Sequence, residues 1–293
     1  MDIPGLSHHV AVVEGVRIHY VTAGLADGPP LLLLHGWPQT WYEWRRVMAR
    51  LAPHYRLIAP DLRGLGDSDR PAGGYDKASV ARDIAGVLAQ IGVAQTDVVG
   101  HDWGGVVAHA LAAQFPDRVR RLVVLDIALP GAGLESALTL RPGGGVWHMH
   151  LHNVPDLPEA LVAGREALYL GWFYRSHSGN PAAIGPDDIA EYVRCYSQPG
   201  ALRAGFGYYR AMFEDAAFVQ AQAAHKLTHP VLAIGGALSL GALAGASFSQ
   251  VAENVSAEVF EDCGHWIPEE QPDRLCARIR SFLATPADPA RRA

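Results

Sequence analysis

The sequence predicts the α/β class: a mostly parallel sheet of eight strands flanked by helices, with a helical cap inserted into it. Three observations carry this expectation. Short apolar runs alternate with helical patterns, one strand is followed by a glycine-rich turn and then a helix, and the alternation stops for roughly a hundred residues before resuming. Parallel neighbours need a crossover between them, and a helix is the usual one. At 293 residues, 49% hydrophobic and 18% charged, the chain can bury one substantial core and still carry a lid.

The elements follow in order. Residues 8–13 and 16–23 flank Glu14-Gly15 and read as a hairpin. Aliphatic runs at 31–34, 55–59, 97–99, 121–126, 230–234 and 257–261 each end near glycine, proline or a charge and read as further strands. Helical periodicity marks 41–52, 77–91, 106–114 and 269–283. Between 126 and 230 aromatics and helix formers predominate, which predicts a lid and not a linker. The expected organisation is a core at 1–130 and 213–286, a cap at 131–212, and a flexible tail at 287–293.

Charge and cysteine usage narrow the function classes. The formal charge is −6 and the cations are mostly scattered arginines, with lysine only at Lys77 and Lys226, so no nucleic-acid footprint is expected. Cys195, Cys263 and Cys276 form neither a paired framework nor a metal-ligand spacing, and a reducing cytoplasm is expected. No basic segment leads into an apolar run at the amino terminus, and no apolar stretch approaches the about 20 residues that span a bilayer. Neither a secretory signal nor a membrane partner is expected. Monomer and homodimer are equally compatible with the sequence.

The chemistry concentrates at Gly100-His101-Asp102-Trp103-Gly104. A buried strand, a sharp turn and an apolar helix arrive in the order of a nucleophile elbow, with a carboxylate where serine is usual. An aspartate there can displace a leaving group from saturated carbon and become an alkyl ester. The competing reading is that Asp102 only caps the helix after it. His148, His150 and His152 alternate, but on a helix His150 points about 200° away from His148. Two ligands without a third predict no metal site.

Four motifs, His35-Gly36-Trp37-Pro38, Asp61-Leu62-Arg63-Gly64-Leu65-Gly66, Gly100-His101-Asp102-Trp103-Gly104-Gly105 and Cys263-Gly264-His265-Trp266, occur in this order around the cap. In them the chain resembles the α/β-hydrolase fold, and within it the epoxide hydrolase and dehalogenase branch. The resemblance implies Asp102 as nucleophile and His265 as the base that activates water on the ester. The acid that orients the base often follows the penultimate core strand, but Ile234-Gly235-Gly236-Ala237-Leu238-Ser239-Leu240 has no carboxylate. Asp126, where another subset keeps its acid, and Glu135, farther into the cap, are the candidates.

The resemblance also implies that backbone N–H groups of Trp37 and Trp103 meet the oxyanion, and that His148 and Tyr209 protonate the departing epoxide oxygen while Tyr208 packs. Trp37, Trp103, Trp147, Met149 and Trp266 are the expected substrate contacts. No cofactor is implied. The expected reaction turns a small apolar epoxide and water into a vicinal diol. The alternatives are a haloalkane or haloacetate dehalogenase with the same nucleophile, and a non-catalytic small-ligand receptor. Haloacetate relatives place arginines just after the nucleophile, where this chain has Trp103 and Val106, and a tryptophan where it has Met149; haloalkane relatives commonly have asparagine at the position of Trp37.

Overall fold

A computed structural model describes residues 3–139 and 145–284 of the chain. The expected tail at 287–293 lies outside the described residues. Eight strands form one sheet: β1 (Ser7–Val13), β2 (Val16–Gly24), β3 (Pro30–Leu34), β4 (Arg56–Pro60), β5 (Thr96–His101), β6 (Val119–Leu125), β7 (Leu227–Gly236) and β8 (Ala252–Phe260). Their spatial order is β1-β2-β4-β3-β5-β6-β7-β8. The hairpin partners β1 and β2 are antiparallel, β2 meets β4 antiparallel, and every later pairing is parallel. The predicted fold class is the observed one.

Around the sheet lie α1 (Arg45–Leu51), α2 (Lys77–Gln90), α3 (Trp103–Gln114), α4 (Trp147–Asn153), α5 (Leu157–Val162), α6 (Glu166–Ser176), α7 (Pro186–Tyr196), α8 (Ala201–Arg210), α9 (Met212–Gln222), α10 (Leu243–Val251), α11 (Ile267–Glu270) and α12 (Pro272–Ala284). No strand occurs between β6 and β7 among the described residues. Several elements differ from the periodicity, and β7 and β8 begin earlier than expected, at Leu227 and Ala252. α3 begins at Trp103, directly after the turn. The carboxyl-terminal pattern is two helices, interrupted at Gln271 before Pro272, as the conformational restriction ahead of proline favours. α10 was not foreseen.

Side chains of a strand alternate between its faces, and this splits the core into two layers. Leu32 and Leu34 of β3 join Val98, Val107 of α3 and Ile84 of α2 on one side. Leu31 and Leu33 join Val99, Met48 of α1 and Ile279 of α12 on the other. β5 is buried along its whole length. After β3 the chain moves to β4 on one side, then crosses back to β5 on the other. The connections therefore diverge between the carboxyl ends of β3 and β5, which opens a crevice there.

Candidate active site

Asp102 sits at that crevice, in the turn from β5 to α3, with φ 51° and ψ −129°. This is a costly conformation for a residue with a Cβ, retained here at the head of a buried helix. The Asp102 side chain makes no capping hydrogen bond to α3, so helix capping does not account for it. Instead Oδ1 accepts the backbone N–H of Trp37, from the loop after β3, at 2.9 Å. Gly36 permits this approach, because a Cβ there would run into the Asp102 carboxyl.

The other carboxylate oxygen, Oδ2, lies 3.7 Å from Nε2 of His265, which follows β8. His265 Nδ1 is 2.6 Å from Oδ2 of Asp126, which follows β6. Asp126, itself at φ 43°, is fully buried. Its Oδ1 accepts the N–H groups of Gly236 (2.9 Å) and Leu240 (3.3 Å), and its Oδ2 accepts the Ser239 hydroxyl at 2.6 Å. The loop that lacks a carboxylate thus holds the one supplied by β6. Glu135 is exposed and accepts N–H groups of its own turn, from Gly131 and Gly133.

His265 is clamped from both sides. Its N–H donates to the carbonyl of His177 at 2.8 Å, and its carbonyl lies 2.9 Å from Nε2 of His101. That bond requires the proton on Nε2 of His101, which leaves Nδ1 to accept from Glu43 Oε2, 3.3 Å away. Burial, and then the charge of Glu269, pushes the Glu43 carboxyl well above its usual range, consistent with a protonated donor.

From the helices between β6 and β7, His148 of α4 and Tyr209 of α8 complete the pocket with Asp102 and His265. Their ring centroids are 5.8 Å apart, edge to face. Burial holds the His148 imidazolium well below its usual range, helped by repulsion from His177, so the ring is neutral at neutral pH. Burial and the charge of Asp102 push the Tyr209 phenol well above its range, so it keeps its proton. His148 Nδ1 has no hydrogen-bond partner among the described residues. The Tyr208 hydroxyl points elsewhere and donates to the Arg63 carbonyl at 2.8 Å.

Over most of its length the chain is similar to known proteins. The alpha/beta hydrolase fold family model matches residues 29–272, and the epoxide hydrolase N terminus model matches residues 2–44. A soluble epoxide hydrolase of Corynebacterium sp. (strain C12) is 42% identical, over 95% of this chain and 98% of its own. The chain belongs to the epoxide hydrolase family of the α/β-hydrolase fold. Among solved structures, Cfl2 from Burkholderia cenocepacia superposes with a TM-score of 0.91 at 43% identity, covering 95% of this chain and 96% of its own. Epoxide hydrolase CorEH gives 0.86 at 40%, covering 95% and 99%.

Within this family member, Trp37, Met149 and Trp266 line the pocket with Ile127, Leu134 and Phe173. Two expected contacts do not. Trp147 packs on Tyr169, Trp172 and Phe173, and the Trp103 indole is fully buried with its ring 5.2 Å from that of Tyr209. The Trp103 N–H lies at the head of α3, immediately after Asp102. His177 and Ser239 line the pocket and were missed, since neither belongs to a motif. His148 and His152 face each other at 5.6 Å, but His152 is engaged by the Tyr169 hydroxyl at 2.6 Å. Among the described residues, the one group with metal-ligand geometry is His19, Asp61 and Asp67. There the Asp61 oxygens already accept from His19 and from the N–H groups of Trp41 and Asp67, bracing the loop that carries Trp37.

Proposed function

We propose that this protein converts small apolar epoxides into vicinal diols through an ester on Asp102. The observation that supports it best is the division of labour between the Asp102 oxygens, one fixed by the Trp37 N–H and the other turned toward His265. Oδ2 attacks an epoxide carbon, the ring C–O bond breaks, and the departing oxygen takes the Tyr209 proton while neutral His148 stabilises it. His265 then removes a proton from water, which adds to the ester carbonyl. The resulting oxyanion faces the N–H of Trp37 and, at the head of α3, that of Trp103. Collapse expels the diol oxygen, which is protonated by His265, and the proton of the new Asp102 carboxyl restores Tyr209. Asp126 holds the His265 tautomer and offsets its positive charge.

Two proton donors favour an epoxide over a halide, because an alkoxide needs a proton to leave and a halide does not. The pocket walls of Trp37, Phe173, Met149 and Trp266 favour an apolar substituent. The test is intact-protein mass spectrometry of His265→Ala with a styrene-oxide-like epoxide and, in parallel, a haloalkane. A mass gain equal to the whole epoxide, mapping to Asp102, is expected. No gain, or gain only from the haloalkane with loss of halide, overturns the proposal.

A further inference from the structure

Lys77 is a buried cation that the scheme above leaves unused. It stands at the first position of α2, where a positive charge meets the positive end of the helix dipole, and only 1% of it is exposed. Such a placement is unfavourable unless the charge is paired. Asp215 of α9, 3% exposed, supplies the pairing: Oδ2 lies 2.6 Å from Nζ, and Oδ1 accepts the Lys77 backbone N–H at 2.7 Å. Burial pulls the ammonium below its usual range, and Asp215 opposes that shift.

Two further contacts aim this charge at the site. Nζ donates to the backbone carbonyl of Tyr208, which belongs to the peptide joining Tyr208 to Tyr209. Nζ also lies 4.0 Å from the centroid of the Trp103 indole, over its face. The ring of Trp103 in turn meets that of Tyr209 edge to face at 5.2 Å. One ammonium therefore grips the backbone beside the phenol and the aromatic wall against which the phenol rests. α8 otherwise crosses from a different part of the chain, with nothing covalent fixing its register on α3.

We infer that Lys77 is a positioning residue for ring opening: it locks the Tyr208–Tyr209 peptide and Trp103 together so that the Tyr209 hydroxyl meets the departing oxygen. The inference rests on the proposed role of Tyr209. Its effect is expected on ring opening, in which Tyr209 acts, more than on ester hydrolysis, which His265 and Asp126 carry.

The experiment follows the rate of adduct formation by rapid-quench mass spectrometry in the His265→Ala background, with a styrene-oxide-like epoxide. Lys77→Met leaves Asp215 buried without its partner and can unfold the protein, so the principal variant is Lys77→Met/Asp215→Leu, which replaces the ion pair with apolar groups. We expect this variant to fold and its saturating alkylation rate to fall about 10- to 100-fold, with half-saturation little changed. Lys77→Arg, which keeps the charge, should recover part of the loss. Adding Tyr209→Phe should cost the variant much less than it costs the parent, because both changes act on one proton transfer. An unchanged alkylation rate in the folded variant, or fully additive effects with Tyr209→Phe, overturns the role of Lys77. If Tyr209→Phe alone leaves alkylation unchanged, the assignment of Tyr209 fails instead.

Discussion

At the scale of single residues, the site depends on approaches that tolerate no extra atoms. Gly36 lies against the Asp102 carboxyl, so Gly36→Ala must displace either that carboxyl or the Trp37 N–H. Steady-state kinetics should show kcat reduced about 100-fold, the scale expected for an ångström of misplacement. Asp126→Asn keeps the shape of the acid but favours the wrong His265 tautomer. Adduct formation should survive it while ester hydrolysis slows by about 10⁴-fold, so the ester should accumulate in the quenched enzyme. Asp102 is legible in the sequence because a buried strand, a glycine-rich turn and a helix surround it, and His265 through the resemblance that its motif carries. Asp126 and Glu135 are both candidates by resemblance and position, and in the structure it is Asp126 that hydrogen-bonds to His265, while Glu135 accepts from its own turn. His177 and Ser239 were not legible, because their roles come from contacts with residues far away in sequence.

At the scale of elements, strand alternation was easier to read than the glycine-rich stretch after β7. Residues 235–245 contain four glycines, and the helical patterns of the sequence do not include α10 (Leu243–Val251). The packing explains why a helix carries a glycine there: a Cβ on Gly245 would lie 2.5 Å from the Cβ of Ala257 in β8. Gly245→Val should therefore lower stability by about 1–3 kcal/mol through overpacking, measured as a shift in the urea midpoint with little change in slope. The helices of the cap segment were legible as a class but not individually. Their apolar faces are aimed by contact with Trp37 and Trp103 of the core, information that no local period contains.

At the scale of the whole molecule, the strand order sets the location of the chemistry. Trp37 follows β3, Asp102 follows β5, Asp126 follows β6 and His265 follows β8, so loops from four strands converge at one edge of the sheet. The same burial that shapes this core also makes it acid-sensitive. His109, inside α3, is lowered to about 4 by desolvation, and His177 is also lowered to about 4, chiefly by burial and then by His265. For a histidine depressed on folding, the unfolded chain binds the extra proton between its own pKa near 6.5 and the folded value. Stability is therefore fully present above about pH 6.5 and is lost as pH falls toward about 4. The contribution of His109 amounts to about 3 kcal/mol at most. Urea unfolding from pH 7.5 to 4 should show this decline, and His109→Phe should flatten it; a parallel decline in that variant would assign the protons to other groups.

In the proposed reaction the new oxygen of the product comes from Asp102 and not directly from water. A single-turnover reaction of the unmodified protein in ¹⁸O-water, with enzyme in excess over a styrene-oxide-like epoxide, tests it most directly. Nucleophilic attack by Asp102 predicts a first-turnover diol free of ¹⁸O and an Asp102 peptide heavier by one ¹⁸O. A labelled first-turnover diol with an unlabelled Asp102 would contradict it, because water would then have opened the ring itself.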